Sequence, residues 1–197
     1  ATNDITVNSL IDASGNTNVS NLTFAAPLIN LNNSINNKGN ITFNGAVNNA
    51  PTASFNRISG RNITFSSSID SSNTRGLTLE AGGNVALLGT ISGTNPLSFI
   101  NITNANNVDL RDLPNHRLDV VKATGNLNIQ TPGNLAVTAN NSWNVLGDIK
   151  LVASSVTIQN NPKSNLRIGR DLTVQAQNNI LVDNSFLEVG RNVNLKG

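Results

Sequence analysis

A five-residue pattern recurs along the chain at a nearly constant step, and this repeat constrains the fold more than any other feature. The pattern is a turn residue, Asn or Asp, an apolar residue, any residue and a second apolar residue, as in Gly39-Asn40-Ile41-Thr42-Phe43. Its copies begin at positions 3, 20, 39, 61, 83, 106, 125, 147, 170 and 191, a step of about 21 residues. Self-similarity at such a period is typical of solenoids, in which each repeat packs on its neighbours.

Within each copy the apolar and polar residues alternate, which is the period of a β-strand. Two further apolar pairs follow each copy, and three short strands per repeat predict an all-β, right-handed parallel β-helix of about ten rungs. We expect residues 1–197 to form a single β-helix segment, and an excerpt of a longer repeat protein because the pattern is in phase at both ends. The second pair is clearest as Ile29/Leu31, Leu135/Val137, Val156/Ile158 and Ile180/Val182, and the third as Leu77/Leu79, Leu97/Phe99, Leu118/Val120, Trp143/Val145, Leu166/Ile168 and Leu187/Val189.

The second residue of every copy is Asn or Asp, at the start of the first strand. Asn suits a corner because it tolerates turn conformations and bonds to nearby backbone. Side-chain amides stacked one rung apart also bond to one another, as in the Asn ladders of cross-β structures. The pattern predicts a structural ladder made of Asp4, Asn21, Asn40, Asn62, Asn84, Asn107, Asn126, Asp148, Asp171 and Asn192.

Two members of this predicted ladder, Asp148 and Asp171, are acidic and fall on adjacent rungs. Like charges so close repel each other, and a nearby cation is needed to hold both in the charged form. Arg170 and Arg191 occupy the preceding turn position on two successive rungs. We therefore expect these arginines to flank the aspartates.

Bulky residues in the strand positions indicate where the core lies. Phe24, Phe43 and Phe65 share one inward position on three successive rungs, which predicts a stack of aromatic rings in the core. Trp143 has the register of a third-strand residue and is also expected to point inward. Between Asn44 and Gly60 the pattern loosens, which predicts either an irregular rung or a loop that carries binding residues, since binding residues concentrate on loops.

Composition excludes several classes of function. The charged fraction is 12%, the net charge is +2, and no basic stripe interleaved with aromatic residues is present, so nucleic-acid binding is not expected. The chain has no cysteine, which excludes disulfides and thiolate metal sites. No apolar run approaches the length of a membrane span. We expect a monomer with no cofactor.

The most charged stretch runs from Asp109 to Asp119 and contains the only histidine, His116. β-Helical enzymes that cleave polysaccharides need paired carboxylates or a carboxylate cluster that holds calcium. In the predicted column the outward neighbours of Asp109 are Ala86 and Asn128, and neither is acidic. The sequence therefore predicts no catalytic residue and no metal ligand. Among the Asn-X-Ser/Thr sequences, those outside the predicted ladder are the better glycosylation candidates: Asn18, Asn32, Asn101 and Asn140.

Degenerate rungs rich in Asn, Gly, Thr and Val, with boxes such as Gly125-Asn126-Leu127-Asn128-Ile129 and Gly133-Asn134-Leu135-Ala136-Val137, resemble exoproteins of the filamentous-haemagglutinin type. The composition and spacing of the repeats are most similar to those of the high-molecular-weight adhesins exported by two-partner secretion. The resemblance implies a β-helical shaft, passage through an outer-membrane transporter, and a secreted or cell-surface location on a Gram-negative bacterium. It also implies a virulence role in adhesion to a host-cell receptor or glycan.

Two other functions remain open from the residues alone. A carbohydrate-active β-helix enzyme, either a polysaccharide lyase or a hydrolase, would share the fold. An ice-binding solenoid would present an outward array of threonines. That array begins with Thr6, Thr23, Thr42 and Thr64 and is interrupted at Ala86.

Overall fold

The computed structural model describes residues 3–15, 20–72, 75–91, 97–111, 118–131, 134–137, 142–159, 165–183 and 187–197. Across these ranges every regular element is a β-strand, and all strand pairs are parallel. The strands are β1 Ile5–Val7, β2 Ile11–Asp12, β3 Leu22–Leu31, β4 Ile35–Asn36, β5 Ile41–Asn49, β6 Phe55–Gly60, β7 Ile63–Phe65, β8 Ile69–Asp70, β9 Gly76–Ala81, β10 Val85–Leu87, β11 Ile100–Ala105, β12 Val108–Arg111, β13 Leu118–Ala123, β14 Leu127–Gln130, β15 Asn134–Val137, β16 Ser142–Val145, β17 Ile149–Ala153, β18 Ser155–Gln159, β19 Asn165–Ile168, β20 Leu172–Ala176, β21 Ile180–Asp183, β22 Leu187–Val189 and β23 Val193–Lys196.

The strands stack into three columns that the chain visits in turn, which confirms the predicted parallel β-solenoid with three strands per rung. The right-handed winding stays a prediction. The first column pairs in register through Leu22, Ile41, Ile63, Val85, Val108, Leu127, Ile149, Leu172 and Val193. The second passes through Ile5, Ile29, Val47, Ile69 and Ile91, and again through Leu135, Val156 and Ile180. The third passes through Ile11, Ile35, Ile58, Leu79, Ile102, Val121, Trp143, Leu166 and Leu187.

The first copy of the sequence pattern lies in a different column from the other nine. Ile5 pairs with Ile29, so β1 belongs to the second column. The prediction that Asp4 belongs to the ladder is therefore wrong, and about ten rungs is an over-count because the first column has nine strands. The alternation Ile5-Thr6-Val7 fits either column, since the second-column pair Ile29 and Leu31 has the same spacing. Backbone pairing with the second half of β3 decides between them.

Two third-strand pairs are also displaced from their predicted positions. Leu77 and Leu79 lie opposite Ile100 and Ile102, so the prediction of Leu97/Phe99 is wrong. One rung further, Trp143 and Val145 lie opposite Val121 and Ala123 rather than opposite Leu118/Val120, because the pairing of β11 with β13 shifts register twice. A bulge adds a residue to one strand and so changes which residues beyond it face inward, and a fixed sequence spacing does not anticipate it.

The segment from Asn44 to Gly60 follows the regular scaffold for most of its length. β5 continues to Asn49, and β6 begins at Phe55 and pairs with β4 and β9. The prediction of a binding loop across this segment is therefore wrong, and only residues 50–54 connect the two strands. Asn side chains hold the corner: buried Asn56 donates from Nδ2 to the Leu31 carbonyl at 2.7 Å and to the Asn49 Oδ1 at 2.9 Å.

The core is a solid column of apolar side chains between the three stacks of strands. Phe43 and Phe65 have no exposed surface, and their ring centroids lie 4.4 Å apart at 13°. Phe24 continues the stack at 5.1 Å from Phe43, which confirms the predicted aromatic column. Trp143 is 3% exposed and faces the core, as predicted. Parallel strands with mainly Val, Ile, Leu and Phe at the inward positions bury the interior on all sides.

Candidate functional site

A continuous row of side-chain hydrogen bonds follows one corner of the solenoid. We call this row the Asx ladder, and its members are Asn21, Asn40, Asn62, Asn84, Asn107, Asn126, Asp148, Asp171 and Asn192. At most steps the backbone N–H of the later residue donates to Oδ1 of the residue one rung earlier, as from Asp148 to Asn126 at 2.8 Å. The distances at the other such steps are 2.7–3.2 Å.

Side-chain to side-chain bonds supplement this row at only some steps. The Asn62 Nδ2 donates to the Asn40 Oδ1 at 2.8 Å, and similar bonds join Asn107 to Asn84 and Asn192 to Asp171. The ladder thus depends on the oxygen of each side chain rather than on its amide nitrogen. This explains why Asp replaces Asn at two positions, since a carboxylate is also an acceptor at Oδ1.

Glycines precede several members of the ladder because the rungs approach closely at this corner. A Cβ placed on Gly147 would overlap the carbonyl oxygen of Gly125 on the preceding rung. The backbone N–H of Gly147 donates to that same carbonyl at 3.0 Å. The close approach therefore satisfies a backbone donor, and glycine at this turn position leaves the space that the approach needs.

One arginine serves both aspartates of the ladder. The Arg191 guanidinium lies 3.4 Å from Oδ1 of Asp171 and 3.8 Å from Oδ1 of Asp148. Arg170 forms no ion pair within the described ranges, so of the two arginines expected to flank the aspartates only Arg191 is seen to do so. Both carboxylates are partly exposed, and the pairs are consequently weak and sensitive to salt.

Several other described acidic residues near the outer surface also have partners. Asp109 lies 3.3 Å from Arg111, and Glu80 pairs with Arg57. Hydrogen bonds from the Ser14 hydroxyl and backbone N–H to the Asp12 carboxylate hold the pKa of Asp12 below its ordinary value. No group of three His, Cys, Asp or Glu side chains that would hold a metal is found in the described part of the chain. His116 lies outside the described residues.

Two shallow grooves flank the outer face of β14, β17 and β20. The first, which we call the corner groove, has a volume of about 400 Å³ and is lined chiefly by Arg111, Gln130, Val152, Ala153, Gln175 and Ala176. The second measures about 370 Å³ and lies beside the ladder, along Asn128, Asp148, Lys150, Asp171 and Thr173. Sequence reasoning missed the corner groove, although the period does place Gln130, Val152 and Gln175 on successive rungs.

The predicted threonine array is shorter than the sequence indicates. Thr23, Thr42 and Thr64 lie opposite one another on three successive rungs, and Ala86 follows. Thr6 belongs to the second column, where it lies opposite Asn30.

Of the four glycosylation candidates, Asn32 and Asn101 lie in the described ranges. Asn32 is half-buried and donates from Nδ2 to the Asn8 Oδ1 at 2.9 Å. Asn101 lies in β11, and its Oδ1 is buried without a hydrogen-bond partner. Asn18 and Asn140 lie outside the described residues, and the modification of all four stays a prediction.

None of the described residues forms a helix with the length and apolarity needed to cross a membrane. Comparison of the chain with known proteins finds no matching family model, no similar curated protein and no similar solved structure.

Proposed function

We propose that the chain is a β-helical segment of a secreted or surface-exposed adhesin of a Gram-negative bacterium, of the filamentous-haemagglutinin type. In this proposal the segment is a shaft or binding region that attaches to host cells or surfaces, and a receptor or glycan on the host is its partner. An outer-membrane transporter of the two-partner route exports it. The repeat texture described above supports the family, and the structure supports the mode of action through its filled interior.

The observation that carries this proposal is the contrast between the core and the outer faces. The inward positions of the central rungs are occupied by buried apolar side chains. The outward positions carry polar residues, such as Thr42, Asn128, Lys150 and Thr173, in rows with a spacing of one rung. Any partner of the central rungs therefore meets a long, regular outer surface, which suits attachment better than enclosure of a small substrate.

Attachment of the 197-residue protein to cells is the direct test. Fluorescent beads coated with the protein should bind to cultured epithelial cells in a saturable manner, and free protein should compete. Beads coated with albumin at equal density are the control. Binding no stronger than that of the control, across several host cell types, would refute the adhesin proposal.

The enzyme alternative makes a different prediction for the same protein. Several described carboxylates contact arginines, as Asp109 contacts Arg111 and Asp171 contacts Arg191. A catalytic carboxylate must instead reach the substrate, and a carboxylate that contacts an arginine side chain is less free to do so. The enzyme function would be favoured over the adhesin function if the protein released new reducing or unsaturated ends from an acidic polysaccharide and Asp109→Asn abolished this release.

A further inference from the structure

We propose that the corner groove binds a linear, uncharged oligosaccharide, a proposal that rests on the adhesin function and gives it a site. The groove follows four successive rungs, because Arg111, Gln130, Val152 and Gln175 lie opposite one another in register on β12, β14, β17 and β20. Three steps between rungs span roughly 14 Å. Its shape is thus long and open, and suits a chain of a few sugar rings laid along the solenoid axis.

Unused amide groups line the groove. Gln130, Gln175 and Gln177 are exposed, and their side chains have no hydrogen-bond partner among the described residues. Elsewhere on the surface stacked amides bond to each other, as Asn48 does to Asn30 at 3.1 Å. Val152 prevents this here, because it separates Gln130 from Gln175 by two rungs. Each free amide offers donors and an acceptor, which match hydroxyl groups that also donate and accept.

The floor and the charge of the groove select the class of ligand. Val152 is only partly buried and gives the groove an apolar contact for the C–H face of a sugar ring, while the small residues Ala153 and Ala176 lie beside it, almost fully buried. The charged side chain in the lining, Arg111, is already paired with Asp109. An uncharged ligand therefore fits better than an anionic one.

A bound peptide or nucleic acid fits less well than a sugar chain. β17 is paired on both sides, with β14 and β20, so its backbone offers no free edge to an added strand. The described lining has a single cation, Arg111, whereas nucleic-acid sites bring several together. A hydroxyl-rich ligand therefore matches the three glutamine side chains best.

The test is a titration of the 197-residue protein with linear, uncharged tetrasaccharides of glucose, mannose, galactose and N-acetylglucosamine. Saturation-transfer NMR would detect binding, and sialyllactose and a heparin tetrasaccharide would serve as charged comparisons. We expect at least one uncharged tetrasaccharide to bind. The double variant Gln130→Ala/Gln175→Ala should weaken that binding at least about tenfold, since two hydrogen bonds are lost. Both residues are exposed, so the thermal transition of the variant should match that of the wild type.

Asn144→Ala is the matched control, because Asn144 is an exposed amide on the third column, away from the groove. Equal weakening by the control, no binding of any uncharged tetrasaccharide, or charged ligands bound in preference would each overturn the proposal. Cell attachment distinguishes failure of the groove proposal from failure of the adhesin proposal. Wild-type beads that bind while the double-variant beads bind equally well refute the groove alone, whereas failure of the wild-type beads refutes the adhesin function.

Discussion

Among single residues, most members of the Asx ladder provide an acceptor for a backbone N–H at the corner. At the corner, the backbone C=O of a ladder residue accepts from the preceding rung, as Asn62 does from Ile41 at 2.8 Å. Its backbone N–H faces the rung before, where the side-chain Oδ1 provides the acceptor, as from Asn84 to Asn62 at 2.7 Å. A backbone donor left without a partner is costly. The corner is therefore stable only if this side chain carries an oxygen at the right distance.

Substitutions of Asn84 test this requirement for an oxygen. Its Oδ1 accepts from both the backbone N–H and the Nδ2 of Asn107, at 3.2 and 3.0 Å. Asn84→Ala should lower the free energy of unfolding by about 1–2 kcal/mol, because two hydrogen bonds are lost. Asn84→Asp keeps the acceptor between uncharged neighbours and should change it by less than about 0.5 kcal/mol. Urea unfolding measures both, and an equal loss in the two variants would contradict the acceptor role.

Phe43 and Thr42 are adjacent residues with opposite environments. Phe43 is fully buried between two other phenylalanine rings, so Phe43→Ala should cost about 3–5 kcal/mol of stability. Thr42 lies on the outer face, and Thr42→Ala should stay within about 0.5 kcal/mol. Chemical denaturation of the two variants checks which residues of the first-column strands point toward the core. Similar losses in both would mean that the facing is wrong.

Asp171→Asn separates the charge of the ladder from its hydrogen bonds. The substitution keeps Oδ1 for the backbone N–H of Asn192 but removes the attraction to Arg191. We expect a loss of less than about 1 kcal/mol at low salt, and a smaller loss at high salt where the pair is screened. Arg170→Gln, at the turn position one rung before Arg191, should show no such salt dependence. Stabilisation by Asp171→Asn at every salt concentration would mean that repulsion from Asp148 outweighs the attraction.

At the level of strands and turns, the register of one rung on the next decides which residues face the core. The repeat predicts this correctly where each rung has one clear alternating pair, as at Phe43 and Trp143. It gives the wrong register at Leu97 and Phe99, because the same stretch also contains Ile100 and Ile102, which alternate equally well and lie opposite Leu77 and Leu79. A local pattern does not distinguish two overlapping pairs, and pairing with β9 makes the choice.

The candidate site was less predictable than the fold for a related reason. The period places Gln130, Val152 and Gln175 in one outward row. The groove, however, also needs Ala153 and Ala176 at the corner, where the chain turns from the first to the second column. The angle of that turn depends on packing across the whole rung, and the alternation of apolar residues carries no information on it.

Gly147 tests the tight corner that joins the third and first columns. Gly147→Ala would place a methyl group against the carbonyl of Gly125, so we expect a loss of about 1–3 kcal/mol from the forced shift of the backbone. Gly82 is a turn glycine whose added Cβ would have no atom within 4 Å, and Gly82→Ala is the control. Thermal unfolding of both variants gives the comparison. A larger loss in the control would show that space is not the reason for glycine at this corner.

Taken as a whole, the molecule is a stack in which each rung contacts the rungs above and below. Eight steps separate the first and last strands of the first column, which gives roughly 38 Å at the usual strand spacing. We expect a circular dichroism spectrum of β-structure and solution scattering that fits a short rod. A spectrum dominated by helix, or scattering of a sphere of equal mass, would contradict the solenoid.

The Asx ladder also gives the stack a direction of growth. In every bond of the ladder the donor belongs to the later rung and the oxygen to the earlier one, from Asn21 onward to Asn192. A rung that has just formed therefore leaves a side-chain oxygen that faces the part of the chain still to fold. That oxygen is a template for the next corner, and the order in which templates become available is the order in which a ribosome releases the residues. If the chain folds from its amino-terminal side, each rung therefore meets an acceptor that is already in place for its corner.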